Sequence, residues 1–431
     1  MSRLLSIGLA FVISAGVFAA PKLADDPAAN WPQWRGPHND GVSTAKGLPA
    51  EFSETKNCLW KLPMPGMSGA TPCVWGDRIF LTSGDDKDQL VALCVGTDGK
   101  EVWRKVLGKG GGKARGDEGN GSSASPSTDG KHVWFFVGTG DLACFDLTGT
   151  EVWKFNVQDR YGKFRIQFGM HSTPALFQGK LYLQLLHDGG QNVICLDAAT
   201  GKEEWKVDRP SDGRAECLHS YASPFVWTDG KDAFLVSHGN DYAVAHDLKD
   251  GKEIWRVGDL NSKARYNPTL RFVASPVCTP DLIIVPSAKN GPVVAVKPSA
   301  KGKVNAGGEY EIWRRPNGTP DVPSPLVRDG IVYLTRENGY LECLDAQTGK
   351  DSYPAQRLHN SRYRASPLYA DGKVYIAARD GVVTVVKAGR TFELLAENRL
   401  AAGEEVAASP FTADGRLYIR GFKNLYAFGA K

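Results

Sequence analysis

The sequence predicts an all-β fold: an eight-bladed β-propeller of four-stranded antiparallel blades, closed by its N-terminal strand. Three observations carry this. Eight Ser-Pro or Thr-Pro pairs (Thr71-Pro72, Ser125-Pro126, Thr173-Pro174, Ser223-Pro224, Ser275-Pro276, Ser324-Pro325, Ser366-Pro367 and Ser409-Pro410) recur at intervals of 42 to 54 residues. A period in that range marks an array of one supersecondary unit. Each pair opens a short hydrophobic strand followed by hairpin turn signals, and no helical period persists anywhere. An aromatic then returns at one slot per unit, as Trp103, Trp153, Trp205, Trp255, Trp313 and Tyr353.

The unit from Ser324 to Tyr353 shows the logic. Pro325 suits a first strand position, where no ladder donor is needed. Asp329-Gly330 is a hairpin turn, since Gly accepts positive φ without a Cβ clash. Ile331 to Thr335 make the second strand, Glu337-Asn338-Gly339 turn the chain, and Tyr340 to Leu344 make the third. Asp345 to Lys350 lead to the fourth, which carries the aromatic. The last unit ends on its third strand, Leu425 to Phe428. The lone strand Asn57 to Leu62, with Trp60 in the aromatic slot, is expected to complete it and remove an exposed edge.

Residues 1–19 read as a secretory signal, with Arg3, an apolar run from Leu4 to Phe18 and a small-residue cleavage site at Val17-Phe18-Ala19. Residues 20–56 form an N-terminal extension and 57–431 the propeller. The apolar run is short for a membrane span, although an uncleaved anchor stays open. The mature chain is expected to be exported, periplasmic or extracellular, monomeric and without a span. A net charge of +4 with both signs interspersed argues against nucleic acid, which needs a concentrated basic stripe. Cys94, Cys144, Cys195 and Cys343 share a strand slot that holds Ala245, Ala295 and Ala427 elsewhere. They are expected to be buried thiols; a pair involving Cys58 is the exception left open.

The LD-x-x-TGK-x-x-W turn, nearly intact from Leu196 to Trp205, resembles the PQQ-like propeller repeat, over about residues 57 to 428. The stretch Trp31-Pro32-Gln33-Trp34-Arg35-Gly36-Pro37, followed by Gly41-Val42-Ser43, looks like the leader of exported PQQ-like propeller proteins of planctomycete-type bacteria. The resemblance implies kinship in fold with the outer-membrane assembly factor BamB and with quinoprotein dehydrogenases. Quinoprotein alcohol dehydrogenases stack their cofactor on a disulfide between adjacent cysteines, and this sequence has no adjacent cysteines. The known assembly factor is a lipoprotein, and no cysteine here lies near the cleavage site, the first being Cys58.

In a propeller, the loops before the first strand and those between the second and third share one face around the channel. Here the former carry Arg165, His171, His219, Tyr221 and Arg271, with Asp321 and Arg364. The latter carry His187, Asp188, His238, Asn240, Asp241, Arg336, Glu337, Asn338, Arg379 and Asp380. Polar groups converging on a concavity are the default site. The arginines suggest an anionic group, although they can also pair with neighbouring acids. The histidines lack tight metal-ligand spacing, and no catalytic residue or metal site is assigned. The Gly108 to Gly121 insertion joins this face and fails the P-loop spacing. The expectation is a non-catalytic binding or scaffolding module of the cell envelope, without a cofactor, holding an envelope protein or a small anionic ligand. The alternative is a PQQ-dependent oxidoreductase with Ca²⁺; another enzyme, acting on carbohydrate, is a third possibility.

Overall fold

The computed structural model describes residues 29–110 and 120–430; the signal segment and the centre of the Gly108–Gly121 insertion lie outside the described residues. The described strands form eight sheets, the eight blades expected. Blade 3 is typical: Ala175–Phe177, Lys180–His187, Gly190–Asp197 and Glu203–Asp208 pair in order, all antiparallel. Blade 8 closes as predicted, with Cys58–Pro63 antiparallel to Asn424–Phe428. Blade 4 gains a fifth strand, because Gly302–Val304, from an insertion in blade 5, lies parallel to its outer strand Glu253–Val257. No helix among the described residues is long and apolar enough to cross a membrane.

The repeated Ser/Thr-Pro pair has a physical purpose that the period alone does not reveal. The Thr71 N–H donates to the Ser125 hydroxyl, Ser125 to Thr173, Thr173 to Ser223 and Ser223 to Ser275, at 2.8–3.0 Å. Ser275 donates to Ser324, Ser324 to Ser366, Ser366 to Ser409, and Ser409 back to Thr71, at 2.9–3.1 Å. Eight backbone donors and eight hydroxyls thus form a closed belt around the channel. Each bond nets about 0.5–1.5 kcal/mol, and losing one hydroxyl leaves a buried N–H unsatisfied. Only Ser or Thr supplies an acceptor at the right reach. The proline that follows has no N–H to satisfy.

The aromatic slot stitches neighbouring blades at the outer turns. The indole N–H groups of Trp60, Trp103, Trp153, Trp205 and Trp313 donate to the carbonyls of Thr97, Leu147, Ala198, Leu248 and Ala346 at 2.8–3.1 Å. Each of these carbonyls belongs to the next blade. The ring lies flat on that turn's glycine: a Cβ on Gly349 would come 2.6 Å from Trp313. Trp255 is fully buried but its N–H has no partner, because the insertion that supplies the fifth strand replaces the turn it would reach. All eight cysteines are free. Burial pushes the Cys94, Cys144 and Cys343 thiols up to about 12, as the shared slot implies.

The N-terminal extension crosses the face of the Asp-Gly turns, which the sequence presents as the plainer one. The Trp31 backbone exchanges two hydrogen bonds with Val74 of blade 1, and Pro32 accepts from Thr128 of blade 2. The Gln33 side chain accepts from Leu176 of blade 3. The chain then traverses the axis. Arg35 is fully buried and donates to the Pro325 carbonyl of blade 6 at 2.6 Å. Val42–Ser43 pairs parallel to Leu368–Ala370 of blade 7. Gly36 has φ +84 and sits on the Trp31 ring, where a Cβ would approach to 2.8 Å. Among the described residues the channel is therefore stoppered at this end and open at the other.

Candidate functional site

The open end is a cup of about 280 Å³. Its inner ring takes one residue from each blade: Gly69, Ser123, His171, Tyr221, Val273, Val322, Arg364 and Ala407. Every one stands two positions before the Ser or Thr of the belt. The belt fixes each strand's entry, so this position projects into the lumen in all eight units. Around it stand Met67, Phe168, Arg271, Asp321, Glu337 and Phe422.

The loops that hold these side chains are locally well determined. In blade 3 the helix Val157–Tyr161 is capped by Asn156, whose side chain accepts from the Gln158 N–H at 2.9 Å. The chain then descends through Phe168 to His171. The Phe168 N–H donates to the Tyr221 hydroxyl at 3.2 Å, tying blade 3 to blade 4. His171 Nε2 meets the Phe168 carbonyl, and its Nδ1 has no partner. Burial lowers the His171 pKa and raises that of Tyr221, so both rings face the cup uncharged.

The charges of this face are largely paired. Arg271 meets Glu216 at 2.7 Å and lies over the Phe168 ring at 4.6 Å. Arg364 meets Glu337 at 2.7 Å. Asp321 accepts from the Lys289 N–H at 3.1 Å. Burial raises its pKa, and the Glu337 carboxylate pushes the same way. Among the described residues two guanidinium groups thus face three carboxylates.

Of the residues predicted from sequence, the structure brings His171, Tyr221, Arg271 and Glu337 to the cup, with Asp321 and Arg364. The others stand elsewhere. Arg336 is held by the buried Glu342 at 2.7 Å. Arg379 meets Glu405 at 2.7 Å and lies over Phe422. Asp380 accepts from His359 at 2.8 Å, and the exposed Asn338 gives its carbonyl to Arg357. Arg165 is exposed on the rim, and its carbonyl accepts from Asp188. Asp188 lies 3.1 Å from His219 Nε2. His187, His238, Asn240 and Asp241 are buried between blades 3, 4 and 5. His187 accepts from Gly189, and Asp241 accepts from Tyr266, Asn261 and Lys263. Burial drives His187 down to about 4 and His238 to about 3. Among the described residues no group of His, Cys, Asp and Glu is arranged to hold a metal ion.

Sequence reasoning missed Phe168, Met67, Phe422 and the small and aliphatic half of the ring. It searched for polar residues, whereas the position two before each Ser or Thr would have given the whole ring.

Two overlapping stretches, residues 138–309 and 303–431, match the family described as outer membrane protein assembly factor BamB. Among solved structures the chain is similar to BamB from Moraxella catarrhalis, at 12% identity and TM-score 0.61, over 86% of this chain and 99% of that one. It is similar to the quinohemoprotein alcohol dehydrogenase of Comamonas testosteroni, at 15% identity and TM-score 0.68, over 94% of this chain and 82% of that one. Sqt1 of Saccharomyces cerevisiae follows at 10% identity and TM-score 0.58, over 90% of this chain and 100% of that one. At these identities the likeness is one of fold. No curated protein sequence matches significantly.

Proposed function

Because the chain belongs to the family of the outer membrane protein assembly factor BamB, we propose that it is a non-catalytic docking propeller of the cell envelope. A partner protein is received at the cup. The observation that carries this reading is the cup's make-up: an apolar and aromatic floor of Phe168, Val273, Val322 and Phe422, with the pairs Arg271–Glu216 and Arg364–Glu337 around it. An apolar centre inside a polar rim is the anatomy of a protein interface. Paired rim charges confer register more than affinity.

The cup suits a quinone cofactor poorly. Pyrroloquinoline quinone carries three carboxylates, and the two guanidinium groups that would receive them already face Glu216 and Glu337, with Asp321 adding a third negative group. The volume of about 280 Å³ lies at the lower edge of the range for drug-sized ligands. Calcium is held by oxygen ligands, carboxylates among them, and among the described residues no group of three or more His, Cys, Asp or Glu is arranged to hold a metal ion.

The test places a photo-crosslinking amino acid at Val322 in the cup and, separately, at Asp414 on the opposite face, in cells of the source organism. Val322 is expected to give one discrete envelope-protein adduct, and Asp414 none. Purified protein is also titrated with the quinone and Ca²⁺ in a dye-linked alcohol oxidation assay. Saturable dye reduction that is lost in Arg364→Ala would overturn the docking reading and restore the oxidoreductase.

A further inference from the structure

The leader covers the stoppered face unevenly. In blades 1, 2, 3 and 7 the residue two after the belt proline turns its N–H to the inner edge of the first strand, where the leader takes it. Val74 donates to Trp31, Thr128 to Pro32, Leu176 to the Gln33 side chain, and Tyr369 to Gly41. Trp31, Pro32 and Gln33 thus run tangentially around the ring and offer one acceptor to each of three successive blades. Blade 8 is met by Ser43, whose hydroxyl lies 2.5 Å from that of Thr412.

Blades 4, 5 and 6 are treated differently. The equivalent residues are Val226, Cys278 and Val327. Their pairing to the second strand, Cys278 with Ile283 and Val327 with Val332, repeats the register of Leu176 with Leu181 and Tyr369 with Val374. Alternation along a strand then puts their N–H groups on the same inner edge, and Val226 follows by the same parity. The leader leaves blade 3 after Gln33, crosses the axis, and reaches blade 6 through Arg35 on Pro325. Among the described residues the leader passes these three donors by. In front of them lies a cavity of about 560 Å³, bounded on one side by the leader from Pro37 to Asp40. Its walls are mostly apolar, with Leu176, Phe177, Val226, Leu282 and Val327, while Asp40, Asp281 and Asp329 bring acidic groups to it against His38 and Arg328, the latter paired with Asp329 at 3.0 Å.

We propose that this arc receives an extended segment of a partner protein, with an apolar side chain for the cavity and a basic residue beside it. The segment presents acceptors to Val226, Cys278 and Val327, as Trp31 and Pro32 do with their carbonyls on blades 1 and 2 and Gln33 does with its side chain on blade 3. Continuity points to the occupant, since the chain's own leader already sits on the same ring, with acceptors from Trp31, Pro32 and Gln33 and the basic Arg35 two residues on. Main-chain pairing gives such a site its affinity, and the pocket gives it selectivity. The proposal is independent of the cup, which faces the other way.

The probe is a fluorescein-labelled peptide of leader sequence, Asn-Trp-Pro-Gln-Trp-Arg-Gly, read by anisotropy on the full chain. Saturable binding is expected. Val226→Pro and Cys278→Pro each delete one inner-edge N–H that the ladder does not use, and proline is tolerated where a strand edge is unpaired. Each is expected to weaken binding at least about tenfold without changing the circular dichroism. Hydrogen exchange supplies a second readout that needs no variant: bound peptide should slow exchange in residues 225–228 and 277–279, and leave the cup loop 168–172 unchanged. Absence of saturation up to about 1 mM peptide, or binding indifferent to both prolines, would overturn the proposal. So would protection confined to residues 73–75, since the peptide would then be displacing the leader. A concentration-dependent dimer abolished by the same substitutions would give the arc to a second copy of the chain, and would equally end the reading.

Discussion

At the leader end of the channel, first-strand amides of blades 1, 2, 3 and 7 donate to the N-terminal extension, and Arg35 is buried against a blade 6 carbonyl. At the cup end the ring residues are Ala407, Gly69 and Ser123 on one arc and His171 and Tyr221 on the next, with Val273 and Val322 standing between Tyr221 and Arg364. The charges there sit in side-chain pairs with part of their surface in solvent. The first end is built by the backbone and is held by burial; the second is built by side chains and is held by screened electrostatics. The difference predicts where substitution costs stability and where it alters recognition.

The largest effect is expected at Trp31. Its ring is buried in the core formed by blades 1, 7 and 8, and Gly36 packs against it. Trp31→Ala removes a fully buried aromatic and should cost about 3–5 kcal/mol, read as a lower urea midpoint. A loss below about 1 kcal/mol would mean that the leader is an accessory laid on a self-sufficient ring, and the contrast between the two ends would fail.

Much of this was legible in the chain. The Ser/Thr-Pro period gave eight blades, the aromatic slot marked their fourth strands, and the missing fourth strand gave the closure, expected at Asn57 to Leu62 and found at Cys58–Pro63. The belt was hidden because a hydrogen bond between units 42 to 54 residues apart leaves no trace in one unit's pattern. The path of the leader was hidden for a related reason. Nothing in Trp31-Pro32-Gln33 says which amides it will meet, since those are backbone groups common to every sequence. His238, Asn240 and Asp241 were placed on the cup face because their turn lies there. Strand alternation and the packing of blade 5 against blade 4 then bury their side chains, with His238 edge-on to Phe272 at 4.9 Å.

His238 sharpens the comparison through pH. Burial holds its folded pKa near 3, below the ordinary 6.5, so between those values the unfolded chain binds more protons than the folded one. Its contribution is therefore complete above about pH 6.5 and drains as pH falls towards 3, by up to about 1.4 kcal/mol per unit. His187 and His246, both held near 4, drain in the same window. His238→Leu should leave stability at pH 7 within about 1 kcal/mol and flatten the acid limb. Parallel curves for the two proteins between pH 7 and pH 4 would show that the histidine titrates in the folded state and belongs to the accessible face after all.

The smallest effect is expected in the cup itself. Glu337→Gln breaks the pair with Arg364, whose members are partly exposed, and such pairs are worth no more than about 1 kcal/mol. Stability should barely move. The charge balance of the cup should move more, because the Glu337 carboxylate helps to raise the pKa of Asp321. With that carboxylate neutralised, the Asp321 titration followed by carbon NMR should shift to lower pH. A stability loss above about 2 kcal/mol with no change at Asp321 would make Glu337 a brace of the same kind as Arg35. The cup would then be a second stopper and not a receiving surface.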